Sequence, residues 1–175
     1  GGAHGIERGA RFDAAGIRLH LQALDDFVCD SLDDGRDVRN ITIGDFDVIG
    51  VEKVDATGGW IYYSASPDNA TQRYLFRSRL DGSAKPERLT PANQPGIHHY
   101  LFPERGDFVI HTYERFQQPP LIEIARLPQH TNVRTLIDNR ALRDQLAKLK
   151  QTPAEFFHVD IGGGQQIRAA NPGKF

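Results

Sequence analysis

Three histidines, His98, His99 and His111, are where this sequence brings metal-binding or proton-transferring side chains closest together. His98-His99 and His111 sit in neighbouring apolar runs that read as successive strands. Adjacent strand residues point to opposite faces, so only one of the pair can join His111. A zinc centre built that way also needs a carboxylate, with Glu114 the nearest candidate, and three or four converging ligands in all. Ordinary strand residues paired across a hairpin are the simpler reading. The carboxylate pairs Asp25-Asp26, Asp33-Asp34 and Asp45/Asp47 suggest acid–base work or calcium. Acidic residues in turns usually bond to backbone or water, and Asp33-Asp34-Gly35 lacks the remaining ligands of a calcium loop. Gly162-Gly163-Gly164 has neither the following helix nor the Gly-Lys-Ser/Thr of a phosphate cradle, and reads as a flexible connector. Cys29, the single cysteine, excludes an internal disulfide and any zinc site built on several cysteines; in Phe27-Val28-Cys29 it reads as a small buried hydrophobe. Asn40-Ile41-Thr42 and Asn69-Ala70-Thr71 are glycosylation sequons, meaningful only in a eukaryotic secretory setting. No catalytic, cofactor-binding or metal-binding residue is assigned, and no cofactor is implied.

The elements that would carry these residues follow from a repeat. Gly59-Trp60-Ile61-Tyr62-Tyr63 is matched by Gly106-Asp107-Phe108-Val109-Ile110, and the run from Arg73 to Leu80 by that from Pro120 to Leu127, both at a shift of 47. Arg88-Leu89-Thr90 has counterparts at Asn40-Ile41-Thr42 and Thr135-Leu136-Ile137, and Phe27 to Leu32 is an upstream copy of the middle element. Each repeat holds short runs rich in Val, Ile, Tyr and Phe, separated by turns such as Thr57-Gly58-Gly59, Asp81-Gly82-Ser83 and Arg105-Gly106-Asp107. Repeats of roughly 40–50 residues with about four strands each are the mark of propeller blades. The fold class expected is all-β: a partial β-propeller of about three four-stranded antiparallel blades, with one short helix near the C-terminus. The aromatic residues Trp60, Tyr62, Tyr63, Tyr74, Phe76, Phe102, Phe108, Tyr113, Phe156 and Phe157 recur within the predicted strands and are expected to pack between blades. The helix is expected within Asp138 to Lys150, capped by Asp138 or Asn139, with Leu142, Leu146 and Leu149 along one side and Thr152-Pro153 as its stop.

Bulk composition narrows the partners. A net charge of -2 over 175 residues gives no electrostatic reason to expect nucleic acid or an anionic membrane. No apolar run approaches the roughly 20 residues that span a bilayer, so no membrane segment is expected. An arc of about three blades leaves two flanks open, and pairing of those flanks with a second copy is one way to cover them.

The run from Ile41 to about Val159 resembles the C-terminal end of the propeller in dipeptidyl peptidase IV-type serine peptidases. The resemblance rests on Ile41-Thr42-Ile43-Gly44-Asp45-Phe46-Asp47-Val48, Gly59-Trp60-Ile61-Tyr62-Tyr63-Ser64-Ala65, Tyr74 to Gly82 and Arg88-Leu89-Thr90, ending on Arg134-Thr135-Leu136-Ile137-Asp138-Asn139-Arg140-Ala141-Leu142. It implies a larger parent whose propeller caps an α/β-hydrolase domain, and removal of N-terminal X-Pro or X-Ala dipeptides by acyl transfer through a Ser-His-Asp triad. The implied partners are that hydrolase domain and a peptide substrate, and the implied location is periplasmic, secreted or at the cell surface. On this basis residues 1–159 are expected to form blades, with 1–24 matching poorly, and 160–175 to form a connector towards the hydrolase domain. The five serines, Ser31, Ser64, Ser66, Ser78 and Ser83, all lack the Gly-x-Ser-x-Gly context of a nucleophile elbow. Phe46 stands where the family usually has tryptophan, and Asp160-Ile161-Gly162-Gly163-Gly164 departs from its usual continuation. No catalytic residue carries over to this chain, which is expected to scaffold or gate rather than catalyse. The alternative is a stand-alone β-repeat interaction module.

Overall fold

The computed structural model describes residues 13–14, 17–21, 27–31, 39–42, 46–67, 69–149, 155–163 and 165–171. They fall in two compact units, Gly1–Asp138 and Asn139–Phe175. The first unit holds three four-stranded antiparallel sheets, each a meander in chain order. Blade 1 comprises β1 (Asp13–Ala14), β2 (Ile17–Leu21), β3 (Phe27–Ser31) and β4 (Arg39–Asn40). Blade 2 comprises β5 (Asp47–Asp55), β6 (Trp60–Ser66), β7 (Tyr74–Arg79) and β8 (Glu87–Arg88). Blade 3 comprises β9 (Ile97–Leu101), β10 (Phe108–Arg115), β11 (Gln118–Arg126) and β12 (Thr131–Ile137). The 47-residue repeat is thus the blade: it lays β6 on β10 and β7 on β11.

Alternation within blade 2 explains why it reads as apolar throughout. Ile61, Tyr63 and Ala65 of β6 face the same way as Tyr74 and Phe76 of β7, and with Ile41, Val48 and Leu80 they form one core. The residues between them, Tyr62 and Leu75, face the other way, into a second core with Leu89, Tyr100, Val109, Ala125 and Leu127. Blade 2 is therefore buried on both faces, which selects the uninterrupted Ile61 to Ala65 run rather than an apolar–polar alternation. Blade 3 is buried on one face only: Val109 is 2% exposed, while Leu101 and Ile110, paired on the opposite face, are 66% and 41% exposed.

The two blades are also tied through backbone. Arg73 just before β7 makes a parallel bridge to Ile97 at the head of β9. The Arg73 amide donates to the Gly96 carbonyl at 3.0 Å, and the His98 amide donates to the Arg73 carbonyl at 3.1 Å. Gly96 is required by this close approach: a Cβ there would lie 2.4 Å from the Glu114 carbonyl oxygen, at a φ of +154°.

The second unit contains α1 (Arg140–Leu146) and a hairpin of β13 (Glu155–Gly162) with β14 (Gln165–Asn171). The helix is shorter than expected, and the expected side-chain cap is absent: Asn139 is the N-cap residue but sits in the left-handed region at φ 50°, without a side-chain capping bond. The division expected after residue 159 falls inside β13, where Val159 pairs with Ile167. Gly162 and Gly163, expected to open a connector, instead turn the hairpin with φ of +87° and +66°, values glycine adopts without a Cβ penalty. The Gly162 amide donates to Asp160 Oδ1 at 2.8 Å. Among the described residues no helix is long and apolar enough to cross a membrane.

Candidate functional site

Half of the inner face of blade 3 is apolar; the other half is a buried polar array. His111 lies at its centre because antiparallel register sets Tyr100 of β9 opposite it on one side and Glu123 of β11 on the other. His98, two residues before Tyr100, shares the face. His98 Nδ1 and His111 Nε2 are 2.8 Å apart, and His111 Nδ1 lies 2.9 Å from Glu123 Oε1. The two imidazole planes agree within 3°, with centroids 5.1 Å apart. Facing nitrogens closer than the roughly 3.5 Å thickness of stacked rings mean that the rings meet edge to edge in one plane. Asn132 donates its side-chain amide to the second oxygen of Glu123, and His98 Nε2 meets the Gln94 carbonyl oxygen at 2.9 Å. A second branch joins it through ring contacts: Thr90 Oγ1 to the Tyr100 hydroxyl at 2.8 Å, and that hydroxyl to His130 Nε2 at 2.9 Å.

Donor and acceptor chemistry fixes where the protons are. The Gln94 carbonyl only accepts, so His98 carries its proton on Nε2 and offers a lone pair at Nδ1. His111 must then donate from Nε2 towards His98. Its Nδ1 faces a carboxylate, and the link between them holds one further proton, making a neutral imidazolium–carboxylate pair. In the other branch the Leu75 amide donates to Thr90 Oγ1 at 2.8 Å, and the Tyr100 hydroxyl is hydrogen-bonded to both Thr90 Oγ1 and His130 Nε2. Every buried polar atom named here has a partner, which is what makes such an array tolerable in a core.

The surroundings shift the acids and bases accordingly. Burial pushes His98 down to about 4, although its bond to the Gln94 carbonyl opposes the shift. Burial also lowers His130, reinforced by the nearby His111 charge. Glu123 is lowered chiefly by the hydrogen bond from His111, helped by that from Asn132 and opposed by desolvation. Burial raises the Tyr100 hydroxyl well above its ordinary value.

His98 and His111, singled out by sequence, do meet here. His99 is exposed on the opposite face, and so is Glu114; the carboxylate in the array is Glu123. His130, in the turn before β12 at φ 53°, was not anticipated at all. His111, Glu123 and His130 each offer a ligand atom, all within 4.8 Å of one another. In this arrangement those donors are directed at hydrogen-bond partners. His98, His111, Glu123 and His130 are all less than 9% exposed, so no substrate-sized molecule reaches them. What the array does chemically is align and share protons across the seam between blades 2 and 3. Among the described residues no serine joins it: Ser78 bonds Tyr63, and Ser64 bonds Glu52.

The other candidates resolve simply. Asp47 is exposed at the head of β5, while Asp25, Asp26, Asp33, Asp34 and Asp45 lie outside the described residues. Cys29 pairs through its backbone with Leu19 in blade 1. The Asn69 side-chain oxygen accepts from both the Thr71 amide and hydroxyl, at 3.0 and 2.9 Å, closing a local turn. Tyr62 and Phe102 pack between blades with centroids 5.2 Å apart. Trp60 instead lies under the guanidinium groups of Arg77 and Arg79, and Phe108 under that of Arg126. A pocket of about 140 Å³ lies beside the Tyr62–Phe102 contact, lined also by Lys53, Asp55 and Asp107.

Known proteins resemble this chain in both sequence and fold. The family model described as the dipeptidyl peptidase IV (DPP IV) N-terminal region matches residues 26–120. "Probable dipeptidyl-aminopeptidase B" of Emericella nidulans is 28% identical over 125 residues, covering 70% of this chain and 14% of that protein. "Probable dipeptidyl peptidase 4" of Trichophyton verrucosum is 22% identical over 139 residues, 78% of this chain and 18% of that protein. The crystal structure of Porphyromonas gingivalis dipeptidyl peptidase 4 shares the fold with a TM-score of 0.77 at 24% identity, over 91% of this chain and 22% of that one. The chain therefore spans less than a fifth of the length of these two curated relatives.

Proposed function

Because this chain belongs to the dipeptidyl peptidase IV N-terminal-region family, we propose that it supplies propeller blades to a serine-type dipeptidyl peptidase and performs no catalysis itself. In that reading the parent carries an α/β-hydrolase domain with a Ser-His-Asp triad, which removes N-terminal X-Pro or X-Ala dipeptides through an acyl-enzyme. The blades restrict which peptides enter and scaffold the catalytic domain. The observation that carries this is the agreement of family and fold: a family match across residues 26–120, and a fold shared over 91% of the chain. The buried array supports a scaffolding role, since its histidines are spent on holding blades together and none faces solvent with a nucleophile beside it. The β13–β14 hairpin would then lie on the way to the hydrolase domain.

The test is cleavage of Ala-Pro and Gly-Pro p-nitroanilides by the full-length parent and by the 175-residue chain in parallel. Turnover by the parent alone, abolished by a serine-directed fluorophosphonate, is the expected result. Turnover by the isolated chain, or none by the parent, would overturn the proposal.

A second reading, a stand-alone interaction module, draws on one specific observation. Leu101, Phe108 and Ile110 leave the outer face of blade 3 apolar and exposed. Self-association through that face would cover it, and light scattering on the chain with and without Leu101→Lys distinguishes a dimer from a monomer.

A further inference from the structure

We propose that the seam between blades 2 and 3 is a pH-sensitive latch, held shut by one shared proton along Gln94, His98, His111 and Glu123 and opened by a second. It goes beyond the role proposed above and does not depend on it.

The geometry sets the proton count. Gln94–His98, His98–His111 and His111–Glu123 are three consecutive links, and each holds one hydrogen between one donor and one acceptor. A proton added at His98 Nδ1 would set two N–H groups head to head across 2.8 Å and place two cations side by side. A proton added at Glu123 would remove the charge that His111 needs opposite it. Either way one link is lost, and a buried donor without an acceptor is left behind. His98 is the weaker point of entry for acid in the sense that matters here: it resists protonation down to about 4, so the folded seam excludes a proton that the opened seam accepts.

His98 is also where the chemistry meets the backbone. Its amide donates to Arg73, which bridges β7 to β9, and its ring bonds to Gln94 in the segment leaving blade 2. Opening of the His98 ring therefore loosens the Arg73–Ile97 backbone bridge between the blades. The groups facing the array from the surrounding elements are Glu52 on β5, Tyr74 on β7, Arg88 on β8, Tyr100 on β9, Tyr113 on β10 and His130 before β12. Arg88 and His130 both oppose a further positive charge at His98, in the same sense as His111.

The experiment is amide hydrogen exchange on the chain, corrected for intrinsic rates, at pH 7 and at pH 4.5. Protection of the Arg73 and His98 amides is expected to fall by about tenfold or more between the two pH values. His98→Asn places an amide oxygen near the position of Nδ1 and accepts from His111 without titrating, so the pH response of the seam in that variant shrinks to what His130 and Glu123 contribute. Seam protection that is flat with pH in the unmodified chain, or an unchanged pH response in His98→Asn, would overturn the latch. Should the variant fail to fold, histidine ¹⁵N shifts of the unmodified chain decide: a neutral His98 with its proton on Nε2 at pH 5.5 supports the latch, and a charged His98 with the seam still protected refutes it.

Discussion

Leu75→Ala tests whether blades 2 and 3 form one packed body. Leu75 belongs to β7 but is fully buried among Leu89, Tyr100, Val109, Ala125 and Leu127, most of them from blade 3. Truncation removes three carbons, worth about 0.8 kcal/mol each in transfer, or roughly 2.4 kcal/mol before any cavity is counted. The strand cannot relax into the space, because the Leu75 amide and carbonyl are both tied, to Thr90 Oγ1 and to the Leu89 amide, each at 2.8 Å. A cavity contribution carries the total to about 3–4 kcal/mol, within the range of buried Leu→Ala substitutions. With a urea slope of about 2 kcal/mol/M, the midpoint falls by roughly 1.5–2 M. Leu101→Ala is the control: the side chain is 66% exposed, and its loss should shift stability by no more than about 0.5 kcal/mol. Trp60, the only tryptophan, reports on blade 2 by fluorescence, while far-UV circular dichroism reports on all sheets. Coincident transitions that move together in Leu75→Ala are expected. Equal effects from the two substitutions, or a fluorescence transition separated from the dichroism in the unmodified chain, would refute a shared core.

Three further outcomes follow from the same geometry. Thr90→Val removes the acceptor for the Leu75 amide and the hydrogen-bond partner of the Tyr100 hydroxyl, and should cost about 1–3 kcal/mol in urea unfolding, with Thr90→Ser recovering most of it. Gly96→Ala drives a Cβ against the Glu114 carbonyl and the Tyr113 ring, so a loss of about 2 kcal/mol or more is expected, and a neutral result would contradict the close approach of β9 to β10 at that point. Acid should weaken the fold. His98 is depressed from 6.5 to about 4, so the unfolded chain takes up the proton first; the stability it contributes is present above pH 6.5 and lost as pH falls through about 4. At about 1.4 kcal/mol per pH unit, and discounted for incomplete desolvation, the loss is about 2–3 kcal/mol by pH 4. The lowered Glu123 and His130 act with the same sign, and urea midpoints that rise on acidification would show the assignment to be wrong.

Period-2 alternation and the spacing of turn residues were enough to read the blades, because each strand's faces are set by neighbours at a fixed 47-residue offset. Tyr62 and Leu75 facing one core, and Tyr63 and Phe76 the other, follow from the sequence once the strands are assigned. The meeting of His98 with His111 is equally legible from a hairpin. Glu123 is not. A register shift between Tyr113 and Arg115 displaces β11 by one residue; without it His111 would face Ile122, and Glu123 would lie on the outer face. Bulges of this kind carry no strong sequence signal, so Glu114, nearer in sequence, was the natural choice of carboxylate. His130 depends on a left-handed turn residue at the end of β11, which no periodicity reveals. The hairpin at Gly162-Gly163 was hidden for a related reason: a glycine run serves a connector and a tight turn equally well, and only the pairing of Val159 with Ile167 separates them.

The most direct measurement is the size and labelling of the native polypeptide that contains this segment, detected with an antibody against residues 46–138. The account predicts a band several-fold larger than 19.6 kDa that co-migrates with a fluorophosphonate-labelled serine hydrolase. A single unlabelled band near 19.6 kDa would contradict it.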